Sequence, residues 1–337
     1  MKKSIFVLPL ICLFLISCSE KSDLKSFEAM NTFMTVKSCG KNAVKVNELI
    51  KNRIGDIENS ISVTKENSDV FKINSGTAGR YEVSEDTIFL MEYTSAFYEK
   101  SEGILNPALY PVIKAWGFTT GNYRVPEQKE IDSLLKNTVF EKVDFNSDKN
   151  GNFVSVPEKM QLDFGAVGKG YAGDMAIKIL RKNGIKSAIL DLGGNVQALG
   201  KKPDGTDWNV GIKSPFTGNA VLAVKISDLS VITSGGYERY FTGDDGKKYI
   251  HIFDSKNGRP VQNDCASVTI VCKSGLYADC LSTTLFAMGK EKAYAFWKKY
   301  GDFDYILITE DNQLFYTAGL KDRLKVIGDF SKVSLLE

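Results

Sequence analysis

The sequence predicts an α+β fold on three observations. Helical and strand-like hydrophobic periods mix along the chain without regular alternation, no internal repeat or low-complexity linker interrupts them, and 337 residues at 43% hydrophobic and 25% charged have an ordinary globular composition. Val46, Leu49, Ile50, Ile54, Ile57 and Ile61 share one face and give a helix over Lys41 to Ser60. A second helix follows Ser84 as N-cap and ends before Gly103, and a short third runs from Glu127 to Lys136 after Pro126. Extended runs follow at Phe140 to Phe145, Phe153 to Val156 and Met160 to Phe164. The helix Tyr171 to Lys182 then stops at Asn183-Gly184. Strands are expected at Ser187 to Leu192, Trp208 to Ile212, Val221 to Ile226, Val231 to Thr233 and Ser267 to Cys272. The last strand feeds a helix Leu276 to Met288 closed by Gly289, then a helix Glu291 to Tyr300 and a hairpin around Glu310-Asp311-Asn312.

Ahead of this body, Met1-Lys2-Lys3, the apolar run Ile5 to Ile16, Ser17 and Cys18 read as a secretory signal, the run being too short to cross about 30 Å of hydrocarbon. Leu15-Ile16-Ser17-Cys18 resembles a bacterial lipobox. That predicts removal of residues 1–17, a lipid on Cys18, a polar tether over residues 18–26, and a body of residues 27–337 held at a membrane. The expected location is the extracytoplasmic side of a bacterial cell envelope. Cys39, Cys265, Cys272 and Cys280 show neither a disulfide framework nor a CxxC pair and read as small buried hydrophobes.

Charge and histidine count narrow the function. With 43 basic and 41 acidic side chains the net charge is +2, without the basic excess of a nucleic-acid binder. Removing the leader takes Lys2 and Lys3 and no acid, so the remaining body is formally neutral. One histidine, His251, excludes zinc or haem sites built on several imidazoles; a metal here would take oxygen ligands, as magnesium or calcium does.

Two patterns carry chemistry. Asp163 to Tyr171 (DFGAVGKGY) joins a strand to a helix, where backbone N–H groups meet phosphate, though it is neither a Walker loop nor GxGxxG and reads equally as a tight turn. Leu192-Gly193-Gly194-Asn195 is a second such turn. Asp279 and Thr283 lie one turn apart on an otherwise apolar helix. That pattern is most often a polar stripe, yet an acid there is costly to bury without a partner and suits a hard cation.

Eight stretches in order resemble the ApbE family, flavin transferases that use FAD to attach FMN to other proteins. They are Ala29 to Thr32, Ser68 to Asn74, Leu105-Asn106-Pro107 with Ala115 to Phe118, Leu162 to Ala172, Leu190 to Gly200, Thr233 to Phe241, His251 to Pro260, and Ala278 to Thr283. The resemblance implies two sheet-and-helix lobes with a flavin nucleotide cleft between them. It implies Mg²⁺ held by the Ala166 carbonyl, Asp279 and Thr283, a flavin contact at Lys169, and an FAD site lined by Met30, Ile104, Leu105, Asn106 and Phe253. The chain departs from the family in having Asn106 where Asp is usual and Asn31 where Gly often stands. An amide at 106 changes little if that position bonds adenine or ribose and weakens the contact if it anchors a cation.

The implied reaction is attack by a serine or threonine hydroxyl of an acceptor on the FMN phosphorus of FAD, with AMP leaving and Asp279 holding the ion. The implied acceptors are subunits of membrane redox complexes. His251, the one imidazole, is expected to be the base, against the alternative of a packed strand histidine. Two other outcomes fit the same residues: a Mg²⁺-dependent FAD pyrophosphatase and a non-catalytic FAD-binding lipoprotein.

Overall fold

The computed structural model describes residues 21–337; the leader, Cys12 and Cys18 lie outside them. Nine strands form the central sheet: β1 (Ser22–Ala29), β2 (Thr32–Cys39), β3 (Ser187–Leu192), β4 (Asn195–Leu199), β5 (Ser230–Gly235), β6 (Cys265–Cys272), β7 (Asp304–Thr309), β8 (Gln313–Thr317) and β9 (Lys332–Leu336). They lie side by side in the order the chain visits them, antiparallel throughout except the final parallel pair β8–β9. Everything else is inserted between neighbouring strands.

The long insertion between β2 and β3 carries α1 (Ala43–Ile61), α2 (Asp69–Ser75), α3 (Glu85–Lys100), α4 (Tyr110–Ala115), α5 (Gln128–Leu135) and α6 (Gly168–Lys182); α7 (Gly275–Tyr300) joins β6 to β7. One sheet face packs against α1, α6 and α7, whose apolar faces bury Val46, Ile50, Ile54, Ala176, Leu281 and Leu285. A three-stranded sheet built on the hairpin Trp208–Lys213 and Ala220–Ile226 covers the opposite face through Val210, Ile212, Leu222 and Val224. A smaller lobe gathers α4, α5 and short hairpins from the β5–β6 insertion around Trp116, Phe118, Tyr249 and Phe253. Trp116 Nε1 donates to the Gly258 carbonyl at 3.0 Å, tying helix to hairpin.

Most elements stand where the sequence places them. Ser84 caps α3 through Thr87 N–H, and Gly289 breaks α7 at φ +76°. Three expectations change. Met160 to Phe164 is not a strand: Asn74 donates to the Leu162 carbonyl at 2.8 Å and accepts from its N–H at 2.7 Å, and Asp163 N–H donates to Pro107, so long-range bonds replace a ladder. Within Phe140 to Phe145 the chain first makes a 3-10 turn over Phe140–Lys142, and the strand begins only at Asp144. β1 starts at Ser22, inside the stretch read as tether. As an edge strand it pairs through backbone with β2 and turns alternate side chains to solvent, burying only Phe27 and Ala29 at its end, so the polar stretch before them shows no apolar period in sequence.

Candidate active site

The turn Phe164-Gly165-Ala166-Val167 leads into α6, with Gly168 N–H closing it on the Phe164 carbonyl at 2.8 Å. At the next turn α6 crosses the start of α7 so closely that a Cβ on Gly170 would sit 2.3 Å from the Gly275 carbonyl oxygen and 2.7 Å from Asp279 Cβ. Glycine is needed there to let the helices touch. The contact brings Gly170 N–H to Asp279 Oδ2 at 2.8 Å. Thr283, one turn further along α7, has its hydroxyl 3.3 Å from Ser234 Oγ of β5.

These groups floor a cleft of about 390 Å³ between the main sheet and the smaller lobe. Ala166, Lys169, Asp279 and Thr283 line one side; Met30 of the β1–β2 turn, Ile104, Leu105 and Asn106 line another; His251 and Phe253 come from the smaller lobe. Every site residue singled out in the described sequence therefore reaches one cavity.

Electrostatics inside the cleft are unusual. Burial pushes Asp279 up to about 6, against the pull of Lys169 and the Gly170 N–H. His251 is pushed down to about 4, first by burial and then by the charges of Arg239 and Lys169. Its Nδ1 lies 3.1 Å from the Arg239 carbonyl. A proton on Nδ1 donated there leaves Nε2 as the basic nitrogen. Phe253 stands edge-on to Phe118 at 5.7 Å and to Trp116 at 5.9 Å, a rigid apolar wall.

Asn106 lines the cleft, but both ends of its amide are engaged by the protein. Oδ1 accepts from Ala108 N–H at 2.9 Å and Nδ2 donates to the Thr138 carbonyl at 2.9 Å. An aspartate could make the first bond and not the second.

The donors fit a hard cation. Among the described residues no group of three His, Cys, Asp or Glu converges. Where α6 meets α7 the cleft offers the Asp279 carboxylate, the Thr283 hydroxyl and the Ala166 peptide carbonyl, all oxygen, with Asp279 buried and its burial only partly offset by Lys169. Such a set suits Mg²⁺, which keeps water and substrate phosphate in its remaining positions.

Several cleft residues escaped the sequence reading. Glu238, raised by burial and lowered by Lys169, faces the same space, as do Asp163, Arg239 and Glu58. Asn195, 1% exposed, has neither end of its amide bonded within the described protein. Glu238, Arg239 and Asn195 fall inside stretches that carried the family resemblance, but burial, the signal that marks them, is not readable from composition.

A buried acid with a hydroxyl one turn away, a lysine at a helix start and a neutral imidazole beside aromatic rings suit an enzyme site that handles phosphate. The ApbE family model matches residues 30–307, and the chain belongs to that family. It is 33% identical over 285 residues to the FAD:protein FMN transferase of Treponema pallidum (strain Nichols), covering 79% of this chain and 78% of that one. With the FAD:protein FMN transferase of Klebsiella pneumoniae (strain 342) it shares 33% over 280 residues, covering 82% and 84%. The crystal structure of the ApbE protein of Thermotoga maritima superposes with a TM-score of 0.83 at 30% identity, over 90% of this chain and 99% of that one.

Proposed function

We propose that this chain transfers FMN from FAD to a serine or threonine hydroxyl of an acceptor protein, releasing AMP, with a divalent cation such as Mg²⁺ held by Asp279, Thr283 and the Ala166 carbonyl. The observation that carries the reading is the convergence of these residues with Lys169 and His251 on a single cleft in a chain whose relatives are named FAD:protein FMN transferases.

The chain's own residues divide the work. Phe253 and Met30 offer apolar surface to the flavin ring, and Ile104 and Leu105 flank the nucleotide. Lys169, at the start of α6, places its ammonium against phosphate oxygens with the helix dipole behind it. A cation held by Asp279, Thr283 and the Ala166 carbonyl would supply positive charge against the pyrophosphate. His251 Nε2 takes the proton from the acceptor hydroxyl as its oxygen bonds to the FMN phosphorus and the bond to AMP breaks. At neutral pH His251 is already unprotonated, as a base must be.

Incubating the protein with FAD, Mg²⁺ and a flavin-acceptor domain separates the readings by chromatography. AMP with flavin-labelled acceptor supports transfer. AMP with free FMN and no label indicates a pyrophosphatase, and bound FAD without AMP a carrier.

The acceptors we infer are subunits of membrane redox complexes, met on the extracytoplasmic side of a bacterial envelope by an enzyme anchored through lipidated Cys18. What supports this is the leader ending in Leu15-Ile16-Ser17-Cys18; among the described residues no helix is long and apolar enough to cross a membrane. Cys18→Ala should move the protein from the membrane to the soluble fraction, and a variant that stayed membrane-bound would remove the anchor.

A further inference from the structure

β1 and β2 are joined by a two-residue turn, Met30-Asn31, in which both residues lie in the left-handed region, at φ +49° and +62°. Two-residue hairpins of this kind favour Asn and Gly because other side chains are strained there. Asn31 tolerates its position; Met30 does not do so readily. The glycine that the family resemblance leads one to expect at 31 would adopt +62° freely, so this chain keeps the turn with a less permissive pair.

Something must therefore hold it. Met30 N–H donates to Glu58 Oε1 at 2.9 Å, across to α1. The other carboxylate oxygen accepts from Lys65 Nζ at 2.7 Å, beyond the end of the same helix. Lys65 also donates to Asn59 Oδ1 at 3.1 Å. Glu58 thus ties the turn to α1 and to the segment after it. Met30, Asn31 and Glu58, with Ser62, Val63 and Thr64, all border the cleft, and the Met30 side chain packs on the main core.

We propose that the Glu58 carboxylate is a positioning residue: it latches the strained Met30-Asn31 turn in place so that the turn forms a fixed wall of the flavin nucleotide site. Strained backbone at a ligand site persists when its surroundings over-determine it, and here the over-determining contact is a charge-assisted hydrogen bond from a helix. The latch rests on the FAD reading above. Without it the turn samples other conformations, and part of the binding energy of FAD goes into restoring the wall.

FAD affinity by fluorescence titration, KM and kcat for AMP release, and the thermal midpoint are measured for the wild type, Glu58→Gln and Glu58→Leu. Glu58→Gln keeps an acceptor for Met30 N–H and should stay within about threefold of wild-type affinity. Glu58→Leu removes the acceptor and should weaken FAD binding and raise KM about tenfold or more, with kcat changed far less. If Glu58→Leu does not fold, Glu58→Asp keeps the charge one methylene short of Met30 N–H and should show the same loss. Wild-type FAD affinity in folded Glu58→Leu or Glu58→Asp, or a loss in Glu58→Gln as large as in Glu58→Leu, overturns the latch alone. A wild-type protein that binds no FAD overturns the functional reading, and the latch with it.

Discussion

Replacing Asp279 by Asn should make the cation-free protein more stable while ending its metal-dependent chemistry. The carboxyl titrates near 6 in the folded protein instead of at its ordinary 3.8, because burial outweighs the help from Lys169 and Gly170 N–H. A raised acid pKa means the folded chain keeps a proton that the unfolded chain has released. Stability of the cation-free protein therefore falls as pH rises from about 4 to about 6 and levels off above that. Two pKa units correspond to about 3 kcal/mol at neutral pH, an upper bound for what Asp279→Asn can recover. Asparagine can still accept from Gly170 N–H, so the helix crossing survives. Thermal melts at pH 4 and pH 7.5, with and without Mg²⁺, test this. The variant should melt several degrees higher than wild type at pH 7.5 and about equally at pH 4, and Mg²⁺ should raise the wild-type midpoint only. A variant that melts lower at pH 7.5, or is still stabilised by Mg²⁺ and turns over FAD, would refute the reasoning.

Other substitutions follow from the same contacts. Gly170→Ala drives a methyl into the Gly275 carbonyl and Asp279 Cβ and should cost about 2 kcal/mol or more in denaturant unfolding, with turnover lost as α6 and α7 separate. His251→Gln should lower kcat by about 10² or more with FAD affinity nearly unchanged; an unaltered kcat removes His251 as base. In the wild type at limiting Mg²⁺, activity should fall as pH drops through about 6, where Asp279 takes a proton that competes with the cation; at saturating Mg²⁺, which keeps Asp279 ionised, the fall should come only as pH approaches about 4, where His251 protonates. Lys169→Met removes the charge that lowers Asp279, so the Asp279 carboxyl should titrate higher still, and above that pH Mg²⁺, no longer repelled by the ammonium, should bind at least as tightly in calorimetry; clearly weaker binding would place Lys169 among the groups that support the cation.

Local signals made much of this molecule legible in advance. The apolar stripe of α1, the Ser84 cap, the Gly289 break and the Asp279–Thr283 spacing are each set within a turn or two of chain, and the structure keeps them, except that Leu49 of the expected stripe faces solvent and Ala43 and Asn47 are buried in the helix face instead. What sequence reading missed is set at long range. The start of β1 is polar because there the edge strand is held by backbone pairing with β2, and only Phe27 and Ala29 at its end enter the core. Met160 to Phe164 looks like a strand but is bonded by Asn74, nearly ninety positions away. Whether Asn106 is free for a ligand depends on the Thr138 carbonyl, and the support of the Met30 turn depends on Glu58, 28 positions on. The resemblance named the cleft residues; only the fold shows which of their polar atoms the protein already uses.

Intact mass measurement of an acceptor domain after incubation with FAD and Mg²⁺, paired with quantified AMP, tests the central claim most directly. The account predicts a gain of one FMN through a phosphoester on the acceptor, in amounts equal to the AMP released and absent with Asp279→Asn. AMP formed while the acceptor mass stays unchanged would contradict it.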